Sequence, residues 1–392
     1  MPPQDISRSS GLLLILVVTT SLNARPNPAE ITWQSATTGG AVHGQIYAAD
    51  STKTPNSTVV YLKNLSIPRL GREPDDQLIG EFVRSGCIVL VLDYSHHPLA
   101  VSANLNADVL KLRQDIADGK KKSLLTEYPV DPNHLYILME GFRLKRDVEF
   151  AREGNRVLAM DVICPANPIK PVPILMEITC DNVNRMGSMS LLFCHDTLLE
   201  GAQAAGFAAA MVDHPVAPPY KGIDDPMPQC LDRMKAAVAK LRAMHGECGA
   251  TESIGAIGFS RGGPFAAMLA GSGDVQAALV HGNRYDYLDL LPSDPMLPRF
   301  EKAWGPAQSN RQKWAEHGAS RYVTGKAAPM FLNTSDAESP EYRDGLAKLD
   351  KLLTSLGIEH VYQVDTDGRG HRVSTDPKTI QSIYSFFSEH LR

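Results

Sequence analysis

Short apolar runs and longer amphipathic stretches take turns along this chain. ITWQSAT and AVHGQIYAA alternate apolar and polar residues, as half-buried strands do. VVYLKNL predicts a third strand, and QLIGEFVRSG has the spacing of a helix. CIVLVLDYSHHP is a continuous apolar run ending in a polar turn, the pattern of a parallel strand buried on both faces. NADVLKLRQDIADG predicts a second helix capped by Asn106, and YPVDPNHLYILME another strand. Strands alternating with helices predict a parallel α/β sheet.

The series then begins again. DVEFAREGNRVLAMDVICP predicts a hairpin turning at Glu153, Gly154 and Asn155. KPVPILMEITC, FAAAMVDHP and ESIGAIG follow as strands, with PQCLDRMKAAVAKLRAMHG as a long amphipathic helix before the last of them. QAALVHGN, PMFLNTSD and HVYQVDTD predict three more strands, and TIQSIYSFFSEHL a final helix. VVYLKN through HLYILME and PILMEI through IGAIGF show the same order of elements. The division expected is a non-catalytic α/β region over 25–142, resembling an incomplete repeat, and a complete unit over 143–392. In the first copy the turn reads MEGFRLKRD, with Arg143 near the position a nucleophile would take. Asp93 and Asp213 end matching strands (LDY, VDH) and are expected to cap the turns that follow.

The first 24 residues have a different character. Arg8 precedes GLLLILVVTT, an apolar stretch too short to span a bilayer and of the length of a signal-peptide core. Ala24 is a suitable last leader residue, whereas Leu22 is poorly suited to its position. The expectation is export to the periplasm or the extracellular space, with no stable membrane insertion once the leader is removed. A net charge of -5 without a long basic run argues against nucleic acid as a partner. The six cysteines show no metal-binding spacing. Core thiols are expected for most of them, with Cys180 and Cys194 as the pair to test.

The chemistry concentrates in GFSRGG, residues 258–263, between an apolar strand and an Ala-rich helix. G-x-S-x-G in that setting is a nucleophile elbow, with glycines where side chains would collide with the adjoining strand and helix. Ser260 is the expected nucleophile. It needs a base oriented by an acid, which in this topology follow in the order acid, then histidine. His371, in the Gly-rich loop DTDGRGHRVS before the last helix, is the expected base. Asp336, just after PMFL, is the expected acid, with Glu338 as the substitute. The oxyanion donors expected are the Arg261 backbone N–H and the loop Cys180, Asp181 and Asn182, with the Arg261 guanidinium a further candidate for oxyanion or substrate binding. Trp304 and the aromatics of NRYDYLDLL are candidates for a lid or substrate wall and equally for core packing.

From about Val148 to Arg392 the chain resembles the α/β-hydrolase superfamily, on DVICPANPIKPVPILMEI, GFSRGG, NTSDAE and GRGHRV. The phrase L-x-M-D-V-x-x-P followed by K-P-V-P is similar to the start of many exported esterases and prolyl-oligopeptidase-type domains. Arg261 after the serine is similar to the S-R elbow of glucuronoyl esterases, a local likeness. The resemblance implies an α/β-hydrolase fold with a mostly parallel sheet flanked by helices, a Ser260–Asp336–His371 triad, and hydrolysis without cofactor or metal. The expected substrate is a small-molecule or polysaccharide ester, acylated or methyl-esterified. A prolyl-oligopeptidase-type peptidase and a non-catalytic binding protein on the same scaffold are the alternatives. No β-propeller repeat precedes the hydrolase half, which weighs against the first. All three triad positions are filled in order, which weighs against the second.

Overall fold

The computed structural model describes residues 28–36, 40–48, 57–64, 75–95, 108, 111–112, 135–178, 202–203, 205–216, 227–374 and 376–391. The expected leader, the loop Cys180 to Asn182, the Cys180–Cys194 pair and most of the helix expected from Asn106 lie outside them.

The first sheet is built from β1 (Ala29–Gln34), β2 (Ala41–Tyr47), β3 (Ser57–Lys63), β4 (Cys87–Asp93) and β5 (Leu135–Met139), with α1 (Asp75–Arg84) joining β3 to β4. The second sheet contains β6 (Phe142–Glu153), β7 (Arg156–Pro165), β8 (Val172–Ile178), β9 (Ala208–Val212), β10 (Ala250–Gly258), β11 (Ala277–His281), β12 (Met330–Ser335) and β13 (His360–Asp365). Its helices are α2 (Met227–Ala243), α3 (Gly263–Gly271), α4 (Leu297–Trp304), α5 (Arg311–His317), α6 (Pro340–Leu356) and α7 (Pro377–His390). The expected hairpin at Gly154 and Asn155 is the β6–β7 connection, and β6 begins earlier than the sequence pattern suggests, at Phe142.

The strand order of the first sheet is β1-β2-β4-β3-β5, and that of the second is β13-β12-β11-β10-β8-β9-β7-β6. Read from β6, the second sheet runs β6-β7-β9-β8-β10, which is the order of the first sheet strand for strand. Directions agree too. β2 is antiparallel to β1 and β4, as β7 is to β6 and β9. β3 is parallel to β4 and β5, as β8 is to β9 and β10. The register matches as well: Leu62 faces Leu92 and Met139, and Ile178 faces Val212 and Gly258. Counting on from Met139 and Gly258 pairs Gly141 with Ser260, and both have positive φ, 85° and 46°. The nucleophile position of the first copy is thus held by Gly141 and not by Arg143, which lies two residues on, in β6 opposite Cys164. Asp93 and Asp213 also match in register. Asp93 accepts from the Ser95 N–H at 2.8 Å and caps its own turn as expected, whereas Asp213 accepts from the Ala159 N–H at 2.9 Å and so satisfies the neighbouring strand β7 instead of its own turn.

Alternation along the parallel strands divides the core into two layers. Leu175, Ile257, Leu279 and Phe331 point to one side, where they meet Ile380, Ile383 and Phe387 of α7 and the apolar residues of the first sheet. Their neighbours Met176, Ala256, Val280 and Leu332 point to the other, under α2, α3 and α6. The first sheet therefore shares a continuous apolar layer with the second. Gln203 seals the outer edge of β5, accepting from the Met139 N–H and donating to the Ile137 carbonyl, each at 2.9 Å. A disulfide joins Cys164 at the end of β7 to Cys248 in the turn before β10, and Cys87 and Cys230 are buried thiols.

Candidate active site

The polar residues of the site sit at the carboxyl ends of the parallel strands, where open α/β sheets place their ligands. β10 ends at Gly258, and the chain turns at Ser260 into α3. A Cβ on Gly258 would come within 2.5 Å of the Ala266 Cβ on α3. One on Gly262 would come within 2.1 Å of the Ile178 carbonyl at the end of β8. These are the helix and strand collisions that the G-x-S-x-G spacing predicts. Ser260 holds its left-handed φ of 46° at a cost of about 1–3 kcal/mol, which the surrounding strand and helix impose.

His371 comes from the loop after β13. Its Nε2 lies 2.8 Å from Ser260 Oγ, and its Nδ1 lies 2.6 Å from Glu338 Oε2. A carboxylate at Nδ1 holds the ring proton there, which leaves Nε2 as the acceptor for the serine hydroxyl. The other oxygen of Glu338 accepts from the Ser339 N–H at 2.8 Å. Glu338 is buried, its side chain 1% exposed, while that of His371 is 24% exposed. The imidazole is thus reachable from solvent on one side and fixed from below on the other.

Asp336, the residue expected in this role, stands elsewhere. It occupies the exposed first position of the turn after β12, where its carboxylate accepts from Ser335 Oγ at 3.3 Å and its N–H donates to the Asp365 carbonyl. The turn at Asp336 and Ala337 faces Asp336 outward and brings Glu338 back beneath the histidine. Glu338, the alternative acid, is the residue the structure joins to His371.

Three further strand-end residues escaped the motif reading. His281, at the end of β11, is buried, stacks on Phe259 at 4.2 Å and lies 5.9 Å from the His371 ring. Gly282 follows it. A Cβ there would come within 2.5 Å of Glu338 Oε2 and 3.1 Å of His371 Nδ1. Asn283 donates through Nδ2 to the Ser260 carbonyl at 2.6 Å. The available signal was position: His-Gly-Asn closes a parallel strand on the same sheet edge as Ser260. Gly282→Ala is expected to lower ester turnover at least tenfold while shifting the melting temperature by only a few degrees. The added methyl meets side-chain ends and not backbone, so the cost falls on the Glu338–His371 contact more than on the fold. Parallel thermal melts and steady-state rates on the purified variant check it.

Arg261 lines a cavity of about 290 Å³ together with Asn283, Arg284, Arg299, Tyr287 and Tyr342, among others. Tyr342 also stands 4.9 Å from the His371 ring, so the cavity adjoins the serine–histidine pair. Its floor is aromatic. Phe300 and Trp304 stack at 4.9 Å, and Tyr287 meets both edge-on, so these aromatics form a wall of the cavity and also pack as a small core of their own with Trp314. Arg284 anchors this wall through a two-pronged pair with Asp294, both side chains buried. Among the described residues, His281, Glu338 and His371 form the one cluster close enough to hold a metal ion, and two of them are the residues hydrogen-bonded in line with Ser260.

The strand order, the mostly parallel second sheet with α2, α3 and α6 on one face and α7 on the other, and the serine elbow define an α/β-hydrolase fold. The similarity to solved structures agrees. A truncated carbohydrate esterase from gut microbiota superposes with a TM-score of 0.50 at 16% identity, over 63% of this chain and 96% of its own. The acylaminoacyl peptidase of Pyrococcus horikoshii superposes with a TM-score of 0.52 at 16% identity, over 64% of this chain and 42% of that one. No family model matches the sequence, and no curated protein matches it.

Proposed function

We propose that the protein is a serine hydrolase that cleaves carboxylic esters through an acyl-enzyme. The observation that carries this reading is the unbroken relay from Ser260 Oγ through His371 to buried Glu338, at 2.8 and 2.6 Å. His371 Nε2 takes the proton as Ser260 Oγ attacks the ester carbonyl. The tetrahedral oxyanion is held by the Arg261 N–H and by donors from the loop after β8, for which Cys180, Asp181 and Asn182 are the candidates. The imidazolium, balanced by Glu338, returns the proton to the departing alcohol. Water then gives a proton to the same nitrogen, attacks the acyl group and releases the acid and Ser260. No step calls for a cofactor or metal.

The substrate class proposed is an acylated or methyl-esterified saccharide. Support comes from the aromatic floor and the arginines of the adjoining cavity, and from the fold's likeness to a carbohydrate esterase. Export is proposed from the leader-like 1–24, and the Cys164–Cys248 bond suits an oxidising compartment. Residues 25–142 are proposed as a non-catalytic unit, with Gly141 where a nucleophile would stand.

The test is a fluorophosphonate label on the full chain, alongside p-nitrophenyl acetate, longer acyl esters and an acyl-peptide anilide. Labelling with ester turnover supports the proposal. Labelling with anilide turnover alone replaces the esterase by a peptidase. A folded chain that takes no label and turns over neither substrate leaves a binding scaffold.

A further inference from the structure

The Arg261 N–H belongs to the same peptide unit as the Ser260 carbonyl. In a planar trans peptide these two groups point in opposite directions. Whatever holds the carbonyl therefore sets the direction of the N–H. The Ser260 carbonyl accepts the Gly263 N–H, as any first helical turn provides. It also accepts Nδ2 of Asn283 at 2.6 Å, from a different strand end.

Asn283 is itself held on several sides. Its Oδ1 accepts the Arg284 N–H at 2.6 Å, which settles the orientation of the amide and makes Nδ2 the donor to Ser260. Its side chain is buried, and its backbone carbonyl lies against Gly345 of α6, where a Cβ would come within 2.4 Å. The next peptide is held from the carboxyl end of β9, on the other side of β10. The Val216 N–H donates to His214 Nδ1 at 3.2 Å, so the imidazole carries its proton on Nε2, which faces the Arg261 carbonyl at 3.3 Å. Burial, aided by the charges of Arg261 and Arg156, pushes the His214 pKa down to about 3, so this ring remains a neutral donor.

We infer that Asn283 is a positioning residue that aims the Arg261 N–H at the oxyanion, with His214 steadying the peptide beyond it. The inference rests on the serine-hydrolase reading above. It predicts a selective loss of transition-state binding, smaller than the about 10²–10³-fold lost when a direct oxyanion donor is removed, because the Gly263 bond survives.

Asn283→Asp is the informative variant. It keeps the shape and the acceptor for the Arg284 N–H, removes the donor and places a carboxylate against the Ser260 carbonyl. Expected with p-nitrophenyl acetate is a fall in kcat of about 10- to 100-fold with KM within about twofold. The Ki of an aryl trifluoromethyl ketone, which forms a tetrahedral oxyanion adduct on a serine, should rise by a factor matching the fall in kcat/KM. Asn283→Ala adds no charge and reads the same quantities should the aspartate disturb folding. Unchanged kcat and Ki in folded variants overturn the inference. So does a loss of kcat with no rise in Ki beyond that in KM, which marks a merely structural residue. Failure of the underlying reading looks different, since the wild-type chain itself would then neither take the fluorophosphonate label nor turn over the ester.

Discussion

Ser260→Ala is expected to lower ester turnover by about 10⁴-fold or more and to abolish fluorophosphonate labelling of the whole chain. The serine oxygen makes and breaks the covalent bond, and the elbow's matched position in the first sheet holds Gly141, which has no nucleophile to offer. A second expectation separates chemistry from folding. Ser260→Gly should be as inactive as Ser260→Ala yet more stable by about 1 kcal/mol. Alanine inherits the left-handed backbone at 46°, which glycine adopts without steric cost. Rates, labelling and melting temperatures of the two variants, measured together, check both statements. Residual labelling in Ser260→Ala would place a second reactive nucleophile in the chain.

Glu338→Gln is expected to lower kcat by about 10³–10⁴-fold, while Asp336→Asn stays within about twofold of wild type. Glutamine preserves the size of the buried side chain and removes the charge that balances the imidazolium. It can also present an N–H to His371 Nδ1, which would move the ring proton to Nε2 and block acceptance from Ser260. Asp336 has no such leverage, because its exposed carboxylate turns away to Ser335. Steady-state kinetics on the two variants decide between the acids. Large loss in Asp336→Asn with little in Glu338→Gln would overturn the assignment.

Ser260 and His371 were readable because each carries a local mark. Ser260 sits in a glycine frame that few backbones need, and His371 sits in a Gly-rich loop after the last strand. The acid carried no such mark. Two carboxylates, Asp336 and Glu338, stand two residues apart after PMFL, and sequence order favours the one nearer to the strand. The choice is made by the turn that closes β12, which exposes Asp336 and buries Glu338. Asn283 and His214 were less visible still. Their targets lie 23 and 47 residues away in sequence and are backbone carbonyls, which every residue possesses.

The doubled architecture shows the same division of information. Alternating and continuous apolar runs were enough to announce strands, helices and a series that begins twice, since periodicity is a local property of the chain. They did not say that the first sheet has the second's strand order, or that Gly141 and not Arg143 matches Ser260. That depends on which strand lies beside which, and at what register. By itself, then, the sequence determined the elements, the elbow and the histidine, through residue spacing that follows from backbone geometry. The tertiary structure alone decided which carboxylate meets His371, which side chains meet the Ser260 and Arg261 carbonyls, and the Cys164–Cys248 partnership, because each joins residues brought together only when strands far apart in the chain close into sheets.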